Sequence, residues 1–271
     1  MLVEKIPEII NTPDPDMVYL AGWPHVKLTR EGFAQLMVRD CLAARNRDVT
    51  CLPKLGFSMN GQAMSLCSTS VQFGKAMEQA DYIQADGESL VKASRFLNKG
   101  DALPERIATT DFFHDAAEYA VKYGLKFYML GASEEMSLEA EKNIRKQYPD
   151  LQIVGRRNGY FDEAQEEKIC KEIVASGADV LWVGMGKPKE QLFCIRNKER
   201  LKGIPWIKSC GGLFDFLSGR NKRAPQWMQD AGLEWAHRTL SDPKRFLWRY
   251  LTTNIHTIFL LVLGSKDRGG I

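Results

Sequence analysis

What the sequence lacks narrows its function first. Its six cysteines (Cys41, Cys51, Cys67, Cys170, Cys194 and Cys210) form no CxxC pair and no zinc spacing, so neither a disulfide framework nor a structural zinc site is expected. They read as small buried thiols in a reducing compartment. No G-x-x-x-x-G-K-[ST] occurs, which excludes a P-loop. The longest uncharged apolar run, residues 251–264, contains Thr252, Thr253, Asn254, His256 and Thr257 and falls short of the ~20 residues a spanning helix needs. The N-terminus, Met-Leu-Val-Glu-Lys-Ile-Pro-Glu, lacks the charge-then-apolar layout of a secretory signal. A cytoplasmic location with a surface-lying tail is therefore expected. Net charge is only +3, from 37 basic and 34 acidic residues, too small for a general nucleic-acid binder.

What is present is the balance of a soluble globular chain, 271 residues with 44% hydrophobic and 26% charged. After a Pro- and acid-rich lead-in, short apolar runs alternate with helical periodicity. Strands are predicted at 18–23, 49–57 (broken by Pro53), 82–85, 126–130, 151–154, 179–183 and 206–209. Between them the spacing predicts helices to 45 (capped by Thr29), over 61–80, to 97, after Thr110, over 134–148 and 163–175, and after Pro188. Strands alternating with helices imply a Rossmann-like, mostly parallel α/β sheet covered by helices on both faces. From 224 to 262 the pattern is helical only. The expected organisation is an N-terminal extension with a first strand and helix (1–50), a catalytic α/β domain (51–223) and a C-terminal basic, amphipathic helical appendage (224–271). That appendage holds the basic excess: residues 220–249 carry seven Lys or Arg against three acids.

In an open parallel sheet, ligands bind outside the carboxyl ends of the strands. Five polar or Gly-rich spots fall there: Ser58-Met59-Asn60, Asp86-Gly87, Gly131-Ala132-Ser133, Gly184-Met185-Gly186-Lys187 and Gly211-Gly212-Leu213-Phe214-Asp215. Glycines there let backbone N–H groups approach an anion, so a nucleotide or phosphate-bearing ligand is expected. A dinucleotide is not, because Gly184-Met185-Gly186 runs on through Pro188 to Lys189 where G-x-G-x-x-G needs a small residue. Asp14-Pro15-Asp16 is formally a metal-diphosphate DxD, but it precedes the first strand and reads as a turn. No His, Cys and carboxylate cluster at metal spacing appears, so no metal site is expected. Asp86 fits a general base for a hydroxyl and equally the N-cap of the helix that follows. Asp215 fits ribose binding and a buried structural hydrogen bond alike.

Several blocks together resemble one family. Asp86-Gly87, Gly159-Tyr160-Phe161, Val183 to Lys189, Gly211 to Asp215 and Lys222-Arg223-Ala224-Pro225 come in its order. Gly232-Leu233-Glu234-Trp235 through Arg238, Asp242-Pro243-Lys244-Arg245 and Arg249-Tyr250 follow. The chain is similar to the WecG/TagA/CpsF glycosyltransferases over about residues 55–250. That resemblance implies inverting transfer from a UDP-sugar donor to a polyprenol-diphosphate-linked saccharide at the inner face of the cytoplasmic membrane, in exopolysaccharide, capsule or other envelope glycan synthesis. By resemblance Asp86 is the catalytic base, and Ser58, Asn60 and Gln191 face the acceptor. Gly131, Tyr160, Gly184, Gly186 and Asp215 take the nucleotide, and Arg238, Arg245 and Arg249 the diphosphate. The family reads Pro-x-Gln-Glu where this chain has Pro188-Lys189-Glu190-Gln191. No cofactor is expected, the UDP-sugar being a substrate, and a homo-oligomer is left open. The alternative is a catalytically inactive nucleotide-sugar-binding subunit. The tail interleaves basic residues with Trp227, Trp235, Phe246 and Trp248, a composition that suits an anionic membrane surface and also a basic helix packed on the domain.

Overall fold

The computed structural model describes residues 12–45, 51–98 and 101–264. The lead-in before 12, residues 49–50 of the third predicted element and the tail beyond 264 lie outside them. The expected first strand is two, β1 (Met17–Leu20) and β2 (Trp23–Val26), paired antiparallel. Ala21 and Gly22, both at positive φ, make the turn between them, the backbone that a two-residue hairpin demands. The helix α1 (Arg30–Arg45) follows, and Thr29 Oγ1 accepts from the Gly32 amide at 3.0 Å.

Next come β3 (Lys54–Met59), α2 (Gly61–Thr69), α3 (Val71–Met77), β4 (Tyr82–Ala85), α4 (Glu88–Leu97) and α5 (Thr109–Tyr123). The helix predicted over 61–80 breaks at Ser70, whose hydroxyl caps α3 by accepting from Phe73 N. Then follow β5 (Lys126–Gly131), α6 (Glu134–Gln147), β6 (Gln152–Arg157), α7 (Glu166–Ala175), β7 (Val180–Gly184), α8 (Lys189–Arg196), β8 (Trp206–Ser209) and α9 (Leu213–Leu217). Three helices close the chain: α10 (Gln226–Ala231), α11 (Glu234–Ser241) and α12 (Pro243–Gly264).

Six strands, β3 to β8, form one sheet in the order β4-β3-β8-β7-β5-β6, every pair parallel. Side chains alternate between two cores, as the period of a strand requires. Leu55, Phe57, Leu130, Leu181, Val183 and Ile207 face α2, α3, α4, α7 and α8. Phe127, Met129, Val180, Trp182 and Trp206 face α1, α5 and α6. The sheet is thus covered on both faces, as expected. The N-terminal segment belongs to the same cores, since Val18 and Leu20 join the first and Phe33 and Met37 the second.

The longest helix, α12, lies along α2. Thr257 Oγ1 donates to Gly61 O at 2.6 Å, Ser65 Oγ lies 2.9 Å from His256 Nδ1, and Leu261 is buried. A Cβ on Gly61 would meet the Thr257 hydroxyl at 3.2 Å, so glycine permits this close crossing. The apolar stretch is longer than the sequence suggests. Phe246–Gly264 has mean hydropathy 1.2 over 19 residues, long and apolar enough to cross a membrane. The uncharged run begins only after Arg249, whereas the helix starts at Pro243, about two turns earlier.

The second core centres on Phe112, fully buried with its ring 4.9 Å from Phe33 and 5.8 Å from Trp182. Phe112→Ala should cost ~3–5 kcal/mol, measured by urea denaturation; a loss below ~1 kcal/mol would contradict this packing.

Candidate active site

The carboxyl ends of β4, β3, β8 and β7 are neighbours, and two cavities open above them. The first, of about 740 Å³, is polar and basic, with Lys187, Arg220, Lys222, Arg238 and Arg249 beside Gly186, Gly211 and Asp215. The second, of about 640 Å³, runs between α4 and α12 and is lined by apolar groups including Phe96, Ile255, Ile258 and Val262. Asn60, Asp86, Glu234, Arg238 and Arg249 line both.

Asp86 sits at this junction because β4 ends beneath it. Its side chain does not cap α4, whose N-cap is Gly87. Instead Oδ1 accepts from the Thr109 amide at 2.8 Å. That is the first turn of α5, where the helix dipole favours an anion. The expected cap, Thr110, is therefore replaced by a carboxylate from another strand, and the Thr110 hydroxyl meets Arg223. Asp86 Oδ2 lies 3.4 Å from Asn60 Nδ2. Asn60 in turn caps α2 through Ala63 N at 3.1 Å and accepts from Lys187 Nζ at 3.4 Å. Burial pushes the Lys187 ammonium below its ordinary value, against the pull of Asp86 and Glu190.

Below lies a buried polar network. Ser58 is 5% exposed and its hydroxyl is 2.8 Å from Thr109 Oγ1 and 2.9 Å from Lys208 Nζ. Lys208, fully buried in β8, also donates to Ser209 O at 2.6 Å. The hydrogen bonds orient the Gln84 amide oxygen toward Lys208 and Ser58, at 2.9 and 3.0 Å, while its nitrogen donates to Phe57 O. Lys208 was not among the residues expected at the site; a charge inside a strand buried on both faces is the signal in the sequence that could have marked it.

Glu190 closes the glycine turns from within. It is 1% exposed, and its Oε2 accepts from Met185, Gly186 and Gly211 amides at 3.2, 3.0 and 3.0 Å. Three converging N–H groups make an anion nest, here filled by a side chain of the protein. Burial pushes the Glu190 carboxyl up, and Lys187 and Lys208 pull it back. Gln191 is fully buried, donates to Glu190 Oε1 at 3.1 Å and leaves its own Oε1 without a hydrogen-bond partner.

The residues read as the nucleotide site do not gather at one point. Gly186 and Asp215 line the polar cavity. Gly131 and Gly184 serve backbone packing: a Cβ on Gly131 would strike Gly184 O at 2.1 Å, and one on Gly184 would meet Gly211 O at 3.0 Å. Tyr160, 78% exposed, lies outside both cavities. Arg249 stacks over Phe246 at 4.5 Å and Tyr250 at 5.0 Å, and the Arg245 side chain lies outside the described residues. Asp14 pairs with Arg39 at 2.8 Å, in keeping with a structural turn. Among the described residues no three His, Cys, Asp or Glu side chains are grouped to hold a metal.

A parallel α/β sheet with a basic cleft at its carboxyl edge defines a ligand-binding fold in which the phosphates of a substrate can be held. The chain matches the glycosyl transferase WecG/TagA/CpsF family over residues 18–269 and belongs to it. The match is wider than the motifs around residues 55–250 suggest, and it takes in β1, β2 and α1.

Lys208 offers a pH test. Burial pushes its ammonium from 10.5 down to about 8. Between those values the unfolded chain binds more protons than the folded one, so stability rises with pH. Wild type should gain on Lys208→Met across that window by up to ~1.4 kcal/mol per pH unit, read from urea curves. A difference that stays flat would contradict a buried, strained ammonium.

Proposed function

We propose that this glycosyltransferase moves a sugar, with inversion, from a UDP-sugar in the polar cavity to a polyprenol-diphosphate-linked saccharide entering along the apolar one. The supporting observation is that a basic cavity and an apolar cavity meet at the half-buried carboxylate of Asp86, whereas Glu234, the other carboxylate that lines both, is engaged by Arg106, Arg223 and Arg238. The Thr109 amide holds one oxygen of that carboxylate, leaving the other turned toward Asn60 to accept a proton. In the transfer, the acceptor hydroxyl oxygen bonds to the anomeric carbon as the bond from that carbon to the β-phosphate oxygen breaks. The proton passes to Asp86 and the negative charge to departing UDP. Arg238, Arg249 and Lys187 stand where that charge develops, and guanidinium suits phosphate through paired N–H donors. Asp215 is the group placed to meet the nucleoside, with Gly186 beside it.

The apolar cavity suits an isoprenoid chain. It opens where Phe96, Ile255 and Ile258 are exposed, and Trp248, Leu251, Phe259 and Val262 continue this surface along α12. We read α12 as lying on the inner face of the cytoplasmic membrane rather than crossing it, since one side is already packed on α2. Each Lys or Arg near an anionic leaflet adds about 1 kcal/mol. The pathway would be one of envelope or exopolysaccharide synthesis.

Asp86→Asn should lower turnover by ~10²–10⁴-fold while calorimetric UDP affinity, with excess EDTA present, stays within a few-fold. Wild-type turnover in the variant would reject Asp86 as the base, and loss of UDP binding on chelation would reveal a metal requirement. A wild type that binds UDP yet transfers no sugar would instead be a binding subunit. The membrane reading has its own test. Trp248→Asp with Phe259→Asp should sharply reduce co-sedimentation with anionic vesicles; unchanged co-sedimentation would refute it.

A further inference from the structure

The C-terminal helices are tied to the core through one carboxylate. Glu234 opens α11, and its side chain is only 15% exposed. Oε2 accepts from Arg106 Nη1 at 3.1 Å, while Oε1 lies 3.3 Å from Arg223 Nε and accepts from Arg238 Nη2 at 3.0 Å. These arginines come from separate segments: Arg106 precedes α5, Arg223 lies between α9 and α10, and Arg238 belongs to α11. Arg106 and Arg223 have further partners, for both reach Asp111 and the Gln229 amide oxygen. Arg238 has fewer. Besides Glu234 it has the Phe216 ring, 5.1 Å from its guanidinium carbon.

Helix capping alone does not account for this arrangement. A carboxylate in a first turn gains ~0.3–1 kcal/mol from the helix dipole at an exposed site and more when partly buried, with no need of three guanidiniums. Burial would push the Glu234 carboxyl up, but Arg238, Arg223 and Arg106 hold it below the usual carboxylate range, so it is charged at neutral pH. Glu234 and Arg238 also border both cavities, so this tie sits at the reaction centre and not behind it.

We propose that Glu234 is a positioning residue for glycosyl transfer, docking the appendage on the core and holding Arg238 at the junction of the cavities for the substrate diphosphate. The inference rests on the glycosyl-transfer reading above. It implies a selective loss. With Glu234 uncharged, Arg106 and Arg223 keep Asp111 and Gln229, so the core side of the seam stays built. Arg238 and α11 lose their ionic tie.

The test is Glu234→Gln in the full-length protein, which preserves shape and hydrogen bonding while removing charge. Amide exchange across residues 226–241 should quicken by at least ~10-fold, as loss of one member of a buried ion network predicts. Turnover should fall by at least ~10-fold while donor KM changes by less than about 3-fold, because the leaving phosphate, already anionic in the donor, takes on its additional charge only as the bond to the sugar breaks. Arg106→Gln should have less effect in the Glu234→Gln background than in wild type, since the two act as one network. A rise in donor KM as large as the loss of turnover would make Glu234 merely structural and overturn the proposal. So would a variant that matches an active wild type. A wild type that transfers from no UDP-sugar would overturn the transfer reading, and the positioning role with it.

Discussion

Six parallel strands buried on both faces leave the polar chemistry of this sheet one outlet, the carboxyl edge, and the rest of the molecule is arranged around that restriction. Parallel strands all end at the same rim, so Asn60, Asp86, Gly186 and Gly211, far apart in sequence, become neighbours. Helices on either side then supply what a rim cannot make for itself. The first turn of α5 fixes Asp86 through the Thr109 amide, and the appendage brings Arg238 and Arg249 over the opening.

The charges buried beneath that edge are held by groups of the protein itself. A buried carboxylate costs several kcal/mol unless it is paired and hydrogen-bonded. Glu190 is hydrogen-bonded, with three backbone amides on one oxygen, and the pull of Lys187 and Lys208 offsets only part of the burial that pushes its carboxyl up. Lys208 has only neutral direct partners, Ser58, Ser209 and Gln84, which is why burial lowers its proton affinity. The Glu190-Gln191 order, reversed relative to the family pattern, thus belongs to a wider set of buried polar residues that includes a lysine in mid-strand. A glutamine at 190 could accept the same amides without needing a counter-charge.

The sheet was legible because strands buried on both faces read as uninterrupted apolar runs, as in Val180 to Val183, with helices between them showing a clear stripe. The hairpin was not, since Ala21 and Gly22 turn the chain with only one glycine to announce it. Thr110 lost its expected capping role for a tertiary reason, a carboxylate arriving from β4. Glycine was the least informative signal at the site. A glycine that admits a ligand and one that admits a neighbouring strand look the same in sequence, and Gly131 and Gly184 are of the second kind. Asp86 and the tail arginines were singled out by motif, and Arg223 and Glu234 lay within motif blocks too, but the pairing of Glu234 with Arg106, Arg223 and Arg238 is a product of the fold and had no local signature.

The central claim is that donor and acceptor enter from opposite sides of Asp86. Hydrogen exchange with two separate ligands tests it most directly, one UDP and the other a short-chain isoprenyl diphosphate in detergent. UDP should protect residues 211–222 and leave 88–97 and 250–262 unchanged. The isoprenyl diphosphate should protect 88–97 and 250–262, with both ligands slowing exchange near Asp86. Overlapping footprints confined to the polar cavity, with no protection along α4 and α12, would contradict two-sided entry.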